Sequence, residues 1–176
     1  MPSFRIVPPT SVAGTWEVSK VPFPVAMYIL PEESAAIPND SDKGPRISLE
    51  RALITFDAKH ESQMHVSLTF QNHGKILFEE ARVVYIEFDD ELRRNYIRRP
   101  LMSIDLKSVW PGETKSFGET FLAPALRPGR YLVRLWIPST DPASKFDKSH
   151  NLMLNNKGVA ETATGLNLIS TMIVVP

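Results

Sequence analysis

The 176-residue sequence predicts an all-β fold, a two-sheet antiparallel β-sandwich of immunoglobulin-like or jelly-roll type. The first observation behind this prediction is that apolar and polar residues alternate with a period of two in several short segments after Ile47. The second is that turn-forming residues, including two Pro-Gly pairs, separate these segments. The third is that no segment carries a convincing helical pattern. Together they indicate roughly eight or nine short strands.

The first 45 residues contain eight of the 15 prolines in the chain. Proline fixes φ and lacks the backbone donor, so extended chain, edge strand and loop are expected here. Short strands are expected around residues 14–19 and 24–30, followed by a polar loop over residues 31–45. We therefore expect a Pro-rich segment, residues 1–45, that belongs to the sandwich or packs on it, and a sandwich domain over residues 46–176.

The alternation is clearest in the strands that follow. The segment "ISLERALITFDAK" places Ala52 and Ile54 on one face, and "MHVSLTF" does the same with Val66 and Leu68. The segment "ARVVYIEF" combines β-branched and aromatic residues, which have high strand preference.

The second half continues in the same way. Each Pro-Gly pair, Pro111-Gly112 and Pro128-Gly129, suits the centre of a type II turn. Strands are expected in "KSFGETFLAP", in "RYLVRLWI" and in the closing "LISTMIVV", with a polar loop at 139–149 and a turn at Gly158.

Composition excludes several classes of function. The 20 basic and 20 acidic residues cancel, which argues against binding to nucleic acids or anionic membranes. The absence of cysteine excludes disulfides, thiolate nucleophiles and iron–sulfur clusters. Neither a signal-peptide h-region nor a membrane span is expected. The sequence as given therefore suggests a cytoplasmic protein, or an extracellular one if it is a fragment of a longer secreted chain.

Leu132, Arg134 and Trp136 of "RYLVRLWI" face away from the predicted core. Its buried face consists of Tyr131, Val133, Leu135 and Ile137. Arg134 and Trp136 share the other face about 7 Å apart. They can form a ligand platform, with the indole facing a sugar ring and the guanidinium donating to its hydroxyls. The favoured alternative is that Trp136 packs under a loop while Arg134 lays its stem over apolar surface.

Trp110 and Tyr96 are the other candidate ligand-binding residues. Trp110 precedes a Pro-Gly turn, where it either caps one end of the sandwich, the favoured interpretation, or projects from a rim towards a ligand. Tyr96 lies in "RRNYIRRP", which carries four arginines. This basic segment either binds an anionic partner such as an acidic glycan or is a solvated edge strand whose charges prevent edge pairing. The edge strand is the favoured interpretation.

No metal site or cofactor is expected. The histidines show no local arrangement of ligands: they are His60, His65, His73 and His150. The acidic run "EFDDE", residues 87–91, lacks the glycine of a calcium loop. It is expected at a solvated hairpin tip that turns at Asp89 and Asp90.

Catalytic motifs are also missing from the sequence. There is no Gly-x-Ser-x-Gly elbow and no Gly-rich phosphate loop. An enzyme stays open as an alternative through loop carboxylates such as Asp105, Glu113 and Glu119.

Residues 64–175 resemble a β-sandwich domain of unknown function that follows glycoside-hydrolase-like barrels in bacterial proteins. The resemblance rests on the ordered segments "VSLTFQNHGKILFEEARVVYIEF", "SIDLKSVWPGETKSF", "APALRPGRYLVRLWIPSTDPAS" and "NLMLNNKGVAETATGLNLISTMIV". The corresponding motif residues are Asn72 with Gly74, Trp110 with Pro111 and Gly112, Gly129 with Tyr131, and Gly165 with Asn167. The association with such barrels implies sugar binding, by analogy alone.

The resulting expectation is a non-catalytic accessory module of a bacterial carbohydrate-active or cell-surface protein. It would bind glycan through exposed aromatic and arginine residues. One alternative is a structural domain that packs on a partner domain or self-associates through a sheet face. The strand at Gly129 also resembles polysaccharide-recognition sandwiches attached to glycan exporters, which implies a cytoplasmic location.

Overall fold

The computed structural model describes residues 4–7, 27–29, 46–56, 63–90, 92, 95–156 and 158–174. Within these residues the chain forms ten β-strands and two 3₁₀ turns. The strands are β1 (Phe4–Val7), β2 (Met27–Ile29), β3 (Ile47–Phe56), β4 (Gln63–Asn72), β5 (Val84–Asp90), β6 (Asn95–Leu101), β7 (Thr114–Leu122), β8 (Gly129–Trp136), β9 (Ala160–Glu161) and β10 (Leu166–Val174). The 3₁₀ turns are Leu106–Ser108 and Lys148–His150. None of these described helical turns is long and apolar enough to cross a membrane.

The strands form two antiparallel sheets. Sheet A has the order β1-β10-β8-β5-β6, and the short β9 pairs with β10. Sheet B has the order β2-β3-β4-β7. Apolar side chains from both sheets meet in one core. The prediction of a two-sheet antiparallel β-sandwich is confirmed.

The chain connections favour the immunoglobulin-like alternative. β3 and β4 pair in sheet B, β5 and β6 pair in sheet A, and the chain then returns to sheet B as β7 before crossing to β8. A tyrosine corner lies at this last crossing. The Tyr131 hydroxyl donates to the Arg127 carbonyl at 3.0 Å and accepts from the Arg127 amide at 3.1 Å.

The core confirms the predicted alternation. Val66 and Leu68 of β4 are buried, as are Val133 and Leu135 of β8, while Arg134 lies on the outer face of sheet A. Large residues that fill the core are Phe70, Phe88, Ile47, Met64, Leu68 and Ile86.

The Pro-rich segment contributes one strand to each sheet. β1 pairs with β10, and β2 pairs with β3. β2 lies inside the strand predicted at 24–30, whereas β1 was not predicted. The strand predicted at 14–19 and the loop predicted at 31–45 lie outside the described residues.

One of the two predicted type II turns is wrong. At Pro111-Gly112 the glycine has φ 76°, and the Glu113 amide donates to the Trp110 carbonyl at 2.8 Å, as a type II turn requires. Gly129 has φ 159° and already pairs with Val174 as the first residue of β8. The second pair therefore leads into a strand without a type II turn.

The solvated hairpin tip predicted for the acidic run 87–91 is also wrong. β5 continues through Asp90, so the turn predicted at Asp89 and Asp90 comes later. Glu87 is 3% exposed and Asp90 4% exposed, which is incompatible with a solvated tip. Arg98 of β6 pairs with Glu87 and Arg134 of β8 pairs with Asp89, so these two carboxylates are accommodated within the sheet.

Buried asparagines fix the loops around the sandwich. Asn72 donates to the carbonyls of Ile76 and Val109, and its Oδ1 accepts from the Gly74 amide. Asn167 bonds in the same manner to three backbone groups in two segments. Both belong to the motifs on which the resemblance rests, and both have structural roles here.

Candidate functional site

The outer face of sheet A brings together side chains from three strands. Strand register places Tyr85 opposite Trp136, and Glu87 opposite both Arg98 and Arg134. Residues directly opposite each other on one face lie within contact distance. Aromatic rings and charged groups therefore meet in the middle of this face.

Arg134 is buried in an ion-pair network. Its guanidinium donates from Nη1 to Asp89 Oδ2 and from Nε to Glu161 Oε2, the latter at 2.8 Å. Burial by itself lowers the pKa of Arg134, but the hydrogen bonds and charges of Asp89 and Glu161 outweigh burial and raise that pKa above its ordinary value. Arg134 thus holds β8, β5 and β9 together.

Trp136 is also covered, with 6% of its surface exposed. The Tyr85 ring centroid lies 4.9 Å from that of Trp136. The Phe146 ring stacks on the indole from the loop after β8, with centroids 6.1 Å apart and an interplanar angle of 19°. The favoured sequence interpretation, an indole packed under a loop, therefore describes this residue.

The Arg98 side chain on β6 contacts two aromatic rings of this face, those of Trp136 and Tyr96. Its guanidinium carbon lies 3.9 Å from the centre of the Trp136 ring and 4.9 Å from that of Tyr96. Both Nε and Nη2 donate to Glu87 Oε2, at 2.9 and 2.5 Å. Nη1 has no hydrogen-bond partner among the described residues. We call Tyr85, Tyr96, Arg98, Trp136 and Phe146 the aromatic–arginine cluster.

The structure corrects the predicted platform. Trp136 and Arg134 do share the outer face, but both are buried, so an exposed Trp136–Arg134 platform is wrong. Tyr85, Arg98 and Phe146 pack against the indole, and two carboxylates bind the guanidinium. Tyr96, by contrast, is 56% exposed.

Trp110 lies away from this cluster, at the turn before β7. It is 62% exposed, so the favoured interpretation, a cap on the end of the sandwich, is wrong. Its backbone amide donates to Glu113 Oε2 at 2.9 Å. Asn72 donates to the carbonyls of both Ile76 and Val109, which brings the segment with the exposed residues Ile76 and Leu77 close to the backbone before Trp110.

Three members of the cluster were not identified from the sequence. Arg98 was seen only as part of the basic "RRNYIRRP" segment, of which the described part lies in β6, Asn95–Leu101, at the edge of sheet A as predicted for an edge strand. Tyr85 shares a strand face with Glu87, which was the available signal. Phe146 had no signal, because it belongs to a loop.

A serine–histidine–glutamate group, with Ser48 and Glu50 on β3 and His73 directly after β4, resembles catalytic machinery most closely. Ser48 Oγ lies 2.7 Å from His73 Nε2 and donates to Glu50 Oε1. However, Glu50 contacts the same ring nitrogen of His73, at 3.5 Å, and not Nδ1, where a triad carboxylate orients the base. Ser48 is also fully buried. We assign this group a structural role.

The carboxylates considered for catalysis bind backbone amides. Asp105 accepts from Lys107, Glu113 from Trp110, and Glu119 from Ser103. Within the part of the chain that the structure describes, no group of three or more histidine or acidic residues can hold a metal ion.

Comparison of the chain with protein-family models, with curated proteins and with solved structures found no match. The resemblance based on the motifs of residues 64–175 therefore stays a prediction. The case for function rests on the geometry of the cluster.

Proposed function

We propose that the protein is a non-catalytic β-sandwich module that binds glycan through the aromatic–arginine cluster on the outer face of sheet A. The observation that carries this proposal is the position of Arg98 between the rings of Tyr96 and Trp136. The resemblance to domains attached to carbohydrate-active barrels supports the same class of ligand. A bacterial accessory or cell-surface module is the corresponding biological role.

Stacking is the first part of the proposed mechanism. The exposed Tyr96 ring offers a flat apolar surface to the C–H face of a sugar. Arg98 and the strand beneath hold that ring in one orientation. A fixed ring loses little conformational entropy on binding, which favours recognition at a shallow surface.

Hydrogen bonding is the second part. Glu87 fixes Nε and Nη2 of Arg98 and leaves Nη1 to donate to a ligand oxygen. Arg98 therefore takes the role that the sequence suggested for Arg134. A guanidinium held beside an aromatic ring also accommodates a carboxylate or sulfate group on an acidic glycan.

A glycan array, followed by calorimetry on the best oligosaccharide, tests this proposal. We expect Tyr96→Ala to weaken binding by about two- to tenfold, because an aromatic stack contributes about 0.5–1.5 kcal/mol. Trp110→Ala is the matched control, since it removes an aromatic side chain of similar exposure far from the cluster. Equal losses in both variants, or no binding by the wild type to any glycan, would contradict the proposal.

A second candidate function is docking to a partner domain or a second copy. Ile76, Leu77 and Trp110, which we call the end patch, are 41%, 38% and 62% exposed. Exposed apolar groups that lie together mark interaction surfaces. Light scattering over a wide concentration range tests self-association: Leu77→Glu should abolish any dimer, and a wild type that stays monomeric would argue against a second copy.

A further inference from the structure

Phe146 has an unusual combination of contact and exposure. Its ring is stacked on buried Trp136, yet 82% of Phe146 itself is exposed to solvent. It therefore contacts the indole with only a small part of its own surface, while Arg98 and Tyr85 pack closer to the same ring. Since hydrophobic stabilisation scales with the apolar area buried, the closed position of this ring is only weakly favoured.

The backbone on both sides of Phe146 is fixed by local hydrogen bonds. The Asp147 amide donates to the Ser144 carbonyl at 3.0 Å, so Phe146 lies at the third position of a tight turn. After the turn, Asp147 Oδ1 accepts from the Ser149 amide. Before it, Ser144 Oγ lies 3.0 Å from Ser139 Oγ.

The backbone of the loop is therefore held by contacts that do not depend on the position of the Phe146 ring. Rotation about the side-chain bonds of Phe146 can move its ring off Trp136 without opening the turn, because the turn's hydrogen bonds involve neighbouring residues. Rotamer changes of exposed side chains take picoseconds to nanoseconds. Uncovering the indole is therefore fast compared with ligand association.

We propose that Phe146 is a built-in competitor, whose ring occupies the stacking position on Trp136 that a ligand ring takes on binding. This inference rests on the proposed glycan-binding function and extends it. The ligand displaces the phenyl ring and stacks on the indole beside Arg98 and Tyr96. The fraction of molecules with Phe146 turned away sets the apparent affinity.

Fluorescence quenching in the full chain tests directly whether the Phe146 ring shields Trp136 from solvent. With Trp16→Phe and Trp110→Phe in place, Trp136 is the remaining indole. We expect Phe146→Ala to raise the acrylamide quenching constant of Trp136 by about twofold, because solvent then reaches the part of the indole that the phenyl ring contacts. Leu122→Ala is the matched control, because it removes an apolar side chain of 68% exposure from the other sheet. An unchanged constant in Phe146→Ala overturns the proposal.

Binding of phenyl β-D-glucopyranoside provides the second readout. Its aryl ring can replace the missing phenyl group, so we expect binding about three- to tenfold tighter in Phe146→Ala than in the wild type. Equal or weaker binding in the variant overturns the competitor role and leaves the proposed function intact. If neither the probe nor any oligosaccharide on the array binds wild type or variant, both proposals fail.

Discussion

The outer faces of the two sheets differ sharply in what covers them. On sheet A, Glu87, Arg134 and Trp136 are 3%, 8% and 6% exposed, beneath Phe146 and the β9 segment. On sheet B, polar side chains of the outer face pair across strands near water. Thr69 Oγ1 and Ser116 Oγ lie 2.8 Å apart, and His65 Nδ1 and Thr120 Oγ1 lie 2.9 Å apart.

This difference shows that other parts of the chain cover the outer face of sheet A and form a third layer there. The period-two alternation within the strands does not reveal this layer. Charged and aromatic groups at polar positions became buried because loops and neighbouring strands supplied partners for them. The face of sheet B remained an ordinary solvated surface. The recognition surface that we propose lies at the border of this third layer, at Tyr96 and Arg98.

The largest expected effect concerns the ion-pair network. Arg134→Ala leaves Asp89 and Glu161 without their shared partner, and we expect it to lower the free energy of unfolding by about 3–5 kcal/mol. Arg99→Ala, which removes an exposed arginine of the same sheet, should change it by about 0.5 kcal/mol or less. Urea denaturation measures both. Similar small values for the two variants would show that sheet A is no more covered than sheet B.

The next effect concerns Arg98. Removing this side chain leaves Glu87, 3% exposed, without its two hydrogen bonds, so Arg98→Ala should cost about 2–3 kcal/mol. The adjacent Arg99 is exposed, and Arg99→Ala should be close to neutral. Thermal unfolding compares the pair. Equal midpoints would mean that Glu87 is solvated in the folded protein.

Sheet B should tolerate change at its outer face. Thr69→Ala breaks a hydrogen bond to Ser116 at a position near solvent, where water replaces the lost partner. We expect a loss of about 0.5 kcal/mol or less by urea denaturation. A loss above about 1.5 kcal/mol would indicate that this face is covered as well.

The smallest effect is a pH dependence in the loop that carries Phe146. Hydrogen bonds from the Ser149 hydroxyl and amide lower the pKa of Asp147. A lowered pKa in the folded state stabilises the protein above the ordinary carboxyl range, and this contribution is lost as the pH falls below about 4. Asp147→Asn should therefore flatten the unfolding curve against pH between about 2 and 5. A slope identical to that of the wild type would contradict this assignment.

The alternation of residues predicted which way side chains point, but not what covers them. For β8 it placed Val133 and Leu135 inside and Arg134 and Trp136 outside, as the structure shows. It did not predict burial of Arg134, because Glu161 is 27 positions away in the chain. Local patterns carry no information about such long-range pairs.

Strand register accounts for the remaining difference at the site. Arg98 reaches Trp136 because β6 and β8 both pair with β5, and the register of each pair depends on turns whose lengths the sequence did not fix. A turn predicted at Asp89 instead of after Asp90 shifts every cross-strand partner of Tyr96 and Arg98. Phe146 comes from an irregular loop, where no periodicity predicts contacts.

Chemical-shift mapping with the best-binding oligosaccharide from the array tests the central claim most directly. If the border of the covered layer recognises glycan, amide and side-chain shifts should concentrate at Tyr96, Arg98 and Phe146, with His65 and Ser116 on sheet B unchanged. Shifts confined to sheet B or to the end patch would contradict the claim.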